Sequence, residues 1–405
     1  MEVAAGDDLA ARLAAAAPGD AFCLAPGRYQ GPFRIGAGVT LWGPREASLV
    51  STGTGDTVVL TGDGPRLLGL TVDGSGSRYD LQDAAVHVNA AAGALVSGVR
   101  VCNALFGIIV EKSRAVDVVG NEVDGSGRAE IGLRGDSIRM WETTDSRIVG
   151  NRVTGARDIV IWYSGGNEVR GNEVIGGRYG THFMYSHGNR VIENRYVGNV
   201  VGIFVMYSRE ITLENNLLAA SAGSAGIGLG LKEASDVRAV DNVLVRNNVG
   251  LFVDNSPFEP RTTDLILRNA IRLCDIGIEF HASMRGNVFR ENSLRGNAVQ
   301  VRVDGGGDAL GNEWEGNDFD DYAGYDLDGD GVGDVPYELR SLSSTLAARH
   351  PQLDYFRGSP SLFLVDAASH LLPMVKPTPV LVDPRPVAGR YRKVEDSESG
   401  GTRAD

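Results

Sequence analysis

The chain has 405 residues, 42% of them hydrophobic, enough for a large core and against wholesale disorder. Its 52 acidic and 39 basic side chains leave a net charge of −13, which argues against nucleic acid as a partner, since that calls for a basic face. No apolar run approaches the roughly 20 residues of a membrane span.

Residues 1–45 read as an N-terminal cap with the first coil. DDLAARLAAAAPGD is an amphipathic helix with acidic residues at its start, ending at Pro18-Gly19. The opening stretch lacks a basic n-region and carries Glu2, Asp7 and Asp8, unlike a secretory leader. Either the chain is cytoplasmic or a leader has been lost from the start as given. Cys23, Cys102 and Cys274 are far apart and form no CxxC, so a zinc knuckle is disfavoured and three buried thiols are expected.

From residue 46 to 303 the sequence repeats. Asn recurs at 151, 172, 194 and 216, and less evenly at 242, 269 and 292. Eight residues before several of these lie DIVIWYS (158–164), GTHFMYS (180–186) and GIFVMYS (202–208), with looser relatives GIIVEKS (107–113), GLFVDNS (250–256) and GIEFHAS (277–283). A unit of about 22 residues, β-branched and bounded by Gly, predicts one rung of a parallel β-helix, with the 54 glycines serving its many turns. Stacked rungs bring identical residues into register, so the Asn side chains are expected to form an interior ladder. Leucine-rich repeats share the period but demand a Leu signature that is missing. Residues 124–135 read as a loop inserted between rungs. Residues 304–340 depart from the repeat, 341–391 form a C-terminal extension of short helical phrases and Pro-rich connectors, and 392–405 is a polar tail expected to be disordered.

Strand side chains alternate between faces. Ile159, Ile161, Thr181, Phe183, Ile203, Val205, Leu229, Leu231, Leu251, Val253, Ile278 and Phe280 then point inward. The outward set contains Trp141, Trp162, His182, Met184, Phe204 and Met206, an unusual stripe for a solvated wall. Two compatible readings fit it. The stripe is covered by the C-terminal segment or by a partner, or His182, Met184 and Met206 form a soft-metal site, since thioethers select Cu(I) and imidazole accepts copper.

A second outward group, Lys232, Asp254, Glu279 and His281, reads as a salt-bridge ladder or as an acid–base constellation of a carbohydrate-active enzyme. In YDLDGDGVGD (325–334), Asp326, Asp328, Asp330 and Asp334 take positions 1, 3, 5 and 9 of a calcium-type loop, but position 12 is Tyr337 rather than Glu. A tight acidic turn is the plainer alternative.

The phrases IGLRGDSIRMW (131–141), RDIVIWYS (157–164), RYGTHFMYS (178–186), GIFVMYS (202–208), GNEWEGNDFDDYAGYDLDGDGVGDVPY (311–337) and RGSPSLFLVDAASHLLPM (357–374) resemble the NosD family of nitrous oxide reductase maturation proteins, over roughly residues 7–387. The resemblance implies a right-handed parallel β-helix of the pectin-lyase type in the periplasm. It also implies a non-catalytic role with the ATPase and membrane subunits of an ABC-type transporter and with a copper lipoprotein chaperone, supplying copper to nitrous oxide reductase. Within that expectation His182, Met184 and Met206 are the candidate copper contacts, and Trp141, Trp162 and Phe204 the candidate partner surface. The competing expectation is a lyase, hydrolase or epimerase on acidic polysaccharides, resting on fold analogy.

Overall fold

The computed structural model describes residues 1–388, apart from 224, 283, 305–306, 343–345, 347–349, 357–358, 372–376 and 378. The chain is a parallel β-solenoid. Each complete coil gives one strand to each of three parallel sheets of 14, 12 and 13 strands. The 12-stranded sheet carries the longest strands, among them Tyr179–Met184, Val201–Met206, Ile227–Lys232 and Val249–Asp254. The side chains expected inside are there: Ile159, Ile161, Thr181, Phe183, Ile203, Val205, Leu231, Val253, Ile278 and Phe280 are fully buried, and Leu229 and Leu251 nearly so.

The Asn ladder is longer than the repeat suggests. Asn121, Asn151, Asn172, Asn194, Asn216, Asn242, Asn269, Asn292 and Asn317 stack in one column, each amide oxygen accepting from the backbone N–H of the preceding member at 2.9–3.0 Å. The amide nitrogens donate to the next Asn oxygen and to a backbone carbonyl, as Asn172 does to Asn194 Oδ1 at 2.9 Å and Ile148 O at 2.8 Å. The buried amides of this column are thus satisfied without water. The ladder ends on Asp383, whose Oδ2 accepts from Asn317 N at 3.0 Å and Asn317 Nδ2 at 2.8 Å. Asp383 belongs to Pro379–Asp383, which pairs antiparallel with Tyr337–Arg340. The C-terminal extension therefore supplies the last acceptor of the column.

The expected N-terminal helix is Leu9–Ala14, shorter than the sequence pattern, with Asp8 as its N-cap accepting from Ala11 N at 2.9 Å. Its Leu9 and Leu13 are buried in the same core as the coils. Parallel pairing continues beyond residue 303: Glu313–Glu315 and Asp318–Phe319 lie on Asn287–Arg290 and Ser293–Arg295. Only Cys274 is a buried thiol. Cys23 and Cys102 are half-buried because they fall on the outward side of their strands. The expected inserted loop lies between Glu122–Asp124 and Ile138–Trp141, with one 3-10 turn at Ile131–Leu133. The tail expected over 392–405 lies outside the described residues.

One column contains a misfit. Asn167, Asn189 and Asn287 donate their side-chain amides to the carbonyls of Thr143, Ser164 and Ser256. Asp264 holds the equivalent position one rung before Asn287. It is fully buried and its Oδ1 accepts from Val237 N at 2.9 Å, but its Oδ2 has no partner. Burial raises its pKa to about 7, because removal from water penalises the charged carboxylate more than the neutral acid. A raised carboxyl pKa costs stability as pH climbs from the unfolded value near 4 through 7. Asp264→Asn is therefore expected to raise the unfolding free energy at pH 8 by roughly 2–4 kcal/mol and to change little at pH 4, measured by denaturant titration at both values.

Candidate metal-binding wall

The register brings the sequence-selected residues together. In the 12-stranded sheet, Trp141 lies beside Trp162, Trp162 beside Met184, Met184 beside Met206, and Met206 beside Lys232. In the next outward column, His182 lies beside Val160 and Phe204. His182 Nε2 is 3.2 Å from Met206 Sδ, across one rung. Trp162 Nε1 donates to His182 Nδ1 at 3.3 Å from the other side.

His182 is outward but not exposed: 4% of its surface is accessible. Tyr179 lies over it with ring centres 4.7 Å apart, and the edge of Trp162 approaches to 5.5 Å. Burial, with Arg178 and Arg157 nearby, depresses its pKa to about 3, so the imidazole is neutral throughout the physiological range. With Nδ1 accepting from the indole, the proton of the neutral ring sits on Nε2 and points at the thioether sulfur. A soft cation at this position would have to take the place of that proton. Met184 and Met206 are half-buried.

Trp141, Trp162 and Phe204 are also half-buried. The two indoles meet edge to face at 5.9 Å, and the Arg139 guanidinium lies 5.0 and 4.9 Å from their ring centres. Phe204 packs on Tyr179 at 5.9 Å.

Behind this wall lies a charged cluster that the sequence reading missed. Asp136 and Asp158 have fully buried side chains. Arg157 bridges them, 2.7 Å from Asp136 and 3.5 Å from Asp158, and bonds the Tyr79 hydroxyl. Arg139 lies 3.6 Å from Asp136, and Arg178 pairs with Asp158. Burial raises the Asp158 pKa and lowers that of Arg139. The signal was present as period: Asp136 and Asp158 are 22 apart, Arg157 and Arg178 are 21 apart.

The second outward group is only partly brought together. Asp254 joins Lys232 at 3.3 Å and His281 at 3.1 Å, while Glu279 turns to Arg302 at 2.8 Å. Lys232, Asp254 and Glu279 each have an ion-pair partner, and His281 Nδ1 meets Asp254 Oδ1 at hydrogen-bond distance. In the aspartate loop, Asp326, Asp328 and Asp330 converge within 4.8 Å, whereas Asp334 accepts from Leu327 N at 2.6 Å. Both Asp326 oxygens accept loop amides, from Gly329 and Gly331.

The three-sheet parallel solenoid, with an imidazole–thioether contact on its long-strand wall, defines a parallel β-helix protein. A family model described as periplasmic copper-binding protein (NosD) matches residues 119–324, just over half of the chain, and the chain belongs to that family. A probable ABC transporter binding protein NosD of Stutzerimonas stutzeri is 29% identical over 385 residues, 90% of this chain and 86% of the relative. Among solved structures, the catalytic unit of an alpha-1,3-glucanase from Streptomyces thermodiastaticus shares the fold at TM-score 0.55 and 15% identity, over 74% of this chain. The chain spans 64% of that glucanase unit, less than two thirds. The A-module of a mannuronan C-5 epimerase from Azotobacter vinelandii has TM-score 0.50 and 13% identity, over 76% of this chain and 93% of the module. These two likenesses concern the fold alone. Among the described residues no helix is long and apolar enough to cross a membrane.

Because the indole N–H favours the tautomer with its proton on Nε2, it opposes any cation at that nitrogen. Trp162→Phe, which keeps the aromatic bulk, is expected to tighten Cu(I) binding roughly 2- to 10-fold in a competition titration against a chromophoric Cu(I) chelator. Unchanged or weaker binding would count against Nε2 as a ligand.

Proposed function

We propose that this chain is a periplasmic, non-catalytic scaffold that holds Cu(I) in transit. It works with the ATPase and membrane subunits of an ABC-type transporter and with a copper lipoprotein chaperone, and the copper is destined for nitrous oxide reductase. His182, Met184 and Met206 are the copper ligands in this reading. Trp141, Trp162 and Phe204 form the adjoining surface against which a partner docks. The observation that carries it is the 3.2 Å approach of His182 Nε2 to Met206 Sδ, with Met184 in register beside Met206, in a chain of a family described as copper-binding.

The donor chemistry supports the reading. Two thioethers and a neutral imidazole make a soft, uncharged set that suits Cu(I) over hard cations. Arg178 and Arg157, whose charges already oppose protonation of His182, also oppose a bound cation, and a dication more than a monocation. A site so placed holds copper weakly, which suits transfer rather than storage. The glycan-enzyme alternative draws on the fold of the glucanase and the epimerase, but Lys232, Asp254, Glu279 and His281 pair among themselves and with Arg302.

Replacing both methionines tests the site without emptying the core. Met184→Leu with Met206→Leu is expected to keep the fold, costing under about 1.5 kcal/mol in denaturant unfolding, since these swaps conserve volume. Nitrous oxide reductase matured beside the double variant is expected to be copper-poor by metal analysis. Full copper loading of the reductase would refute the assignment.

A further inference from the structure

The rung between Asn242 and Asn269 takes 27 residues, where those from Asn151 to Asn216 take 21 or 22. The surplus folds back along the wall. Phe258 N donates to Ala234 O at 2.8 Å, and Glu259 N donates to Ser235 Oγ at 2.8 Å. The Glu259 carboxylate reaches Arg209 Nη1 at 3.2 Å. Phe258 is thereby fixed at its backbone yet 55% exposed. An aromatic ring held rigid in solvent is a ready contact.

Facing it is a column of tyrosines at the corner that follows the methionines. Tyr163, Tyr185 and Tyr207 stack with ring centres 5.3 and 5.0 Å apart and planes within 15°. All three corner residues have φ near +50°. That conformation is disfavoured for bulky side chains, and neighbouring rungs fill the corner with Glu142, Glu233 and Asn255 instead. The stack ends at Tyr207 because the next corner residue is Glu233. A cleft of about 310 Å³ opens there, its lining including Tyr185, His187, Tyr207, Arg209, Glu233, Phe258 and Glu259.

The charges in this cleft do not cancel. Arg209 pairs with Glu259, and Lys232, next to Glu233 in the chain, pairs with Asp254. Glu233 is half-buried and has no ion-pair partner among the described residues. An apolar occupant would desolvate that carboxylate without compensation. A sugar wants a broad ring face, but Tyr185 has a ring against each of its faces and Trp141 packs on Tyr163 at 5.0 Å, so the far face of Tyr207 is the open end of the stack. One ring face, one facing aromatic and one unpaired carboxylate match a single cationic group.

We propose that this cleft receives a lysine or arginine side chain of a partner protein, its charge lying between Tyr207 and Phe258 and paired to Glu233. The inference does not depend on the copper reading, because it uses none of the proposed ligands.

The test uses the whole chain labelled with 3-fluorotyrosine and followed by fluorine NMR, the Tyr207 signal being the one that Tyr207→Phe removes. The probes are acetyl-Gly-Gly-Arg-Gly-Gly-amide, the all-glycine pentapeptide and an α-1,3-linked tetraglucoside. The arginine peptide should shift the Tyr207 signal saturably, with affinity roughly in the millimolar range for a lone anchor. Glu233→Gln should weaken it about tenfold, and Phe258→Ala should weaken it too, with the signals of tyrosines away from the cleft and its stack unmoved. No shift, an equal shift by the glycine peptide, or undiminished affinity in Glu233→Gln would overturn the proposal. A response to the tetraglucoside instead would make the cleft a saccharide site and overturn it equally.

Discussion

The structure depends on one constraint: every coil must place its backbone amides directly on those of the coil beneath. The Asn column enforces this at one corner. Each side chain there serves the backbone N–H of one coil and a carbonyl beyond it, so a slip by one residue would leave several buried polar groups unpaired at once. Serine does the same at another corner, where the backbone N–H groups of Thr143, Ser164 and Ser186 donate to the hydroxyl oxygens of Ser164, Ser186 and Ser208 in turn. The column closes on Asp383, a carboxylate acceptor brought in by the C-terminal extension. A stack without such an end would leave the Asn317 backbone N–H and one of its amide hydrogens without an acceptor, the other still reaching Phe289 O.

In-register stacking has a consequence outside the core. Residues about 22 apart in sequence become neighbours on the wall, so a site is assembled from one position sampled in successive rungs. That is how Met184 comes to lie beside Met206 and how three tyrosines come to lie face to face. It also concentrates charge: Asp136 and Asp158 lie on adjacent coils with Arg139, Arg157 and Arg178 woven between them. Paired buried charges of this kind contribute little net stability, because desolvation opposes their attraction. The neighbouring histidine is kept neutral chiefly by its own burial, with the charges of Arg178 and Arg157 adding to it.

Much of this was legible in the sequence, and for a physical reason. Period and alternation follow from the backbone, so the inward set, the ladder from Asn151 to Asn292 and the adjacency of Met184 and Met206 could be read from spacing alone. What alternation cannot tell is whether an outward side chain stays wet. His182 is covered by Tyr179, three residues earlier, and that depends on rotamers rather than on period. Cys23 and Cys102 show the converse, half-exposed because alternation puts them outside, where composition alone suggested burial. The ladder's close on Asp383 joins positions 66 apart across a segment with no repeat. The fold-back of Phe258 and Glu259 onto Ser235 was hidden for the same reason, since an insertion carries no register of its own.

The central functional claim is that stacked outward positions present a sulfur–nitrogen donor set to Cu(I). X-ray absorption at the copper edge of the Cu(I)-loaded chain tests it most directly. The account predicts a first shell containing thioether sulfur with one imidazole nitrogen, the sulfur disappearing when both Met184 and Met206 are leucine. A shell of nitrogen and oxygen alone, or a sulfur signal indifferent to those two residues, would contradict it.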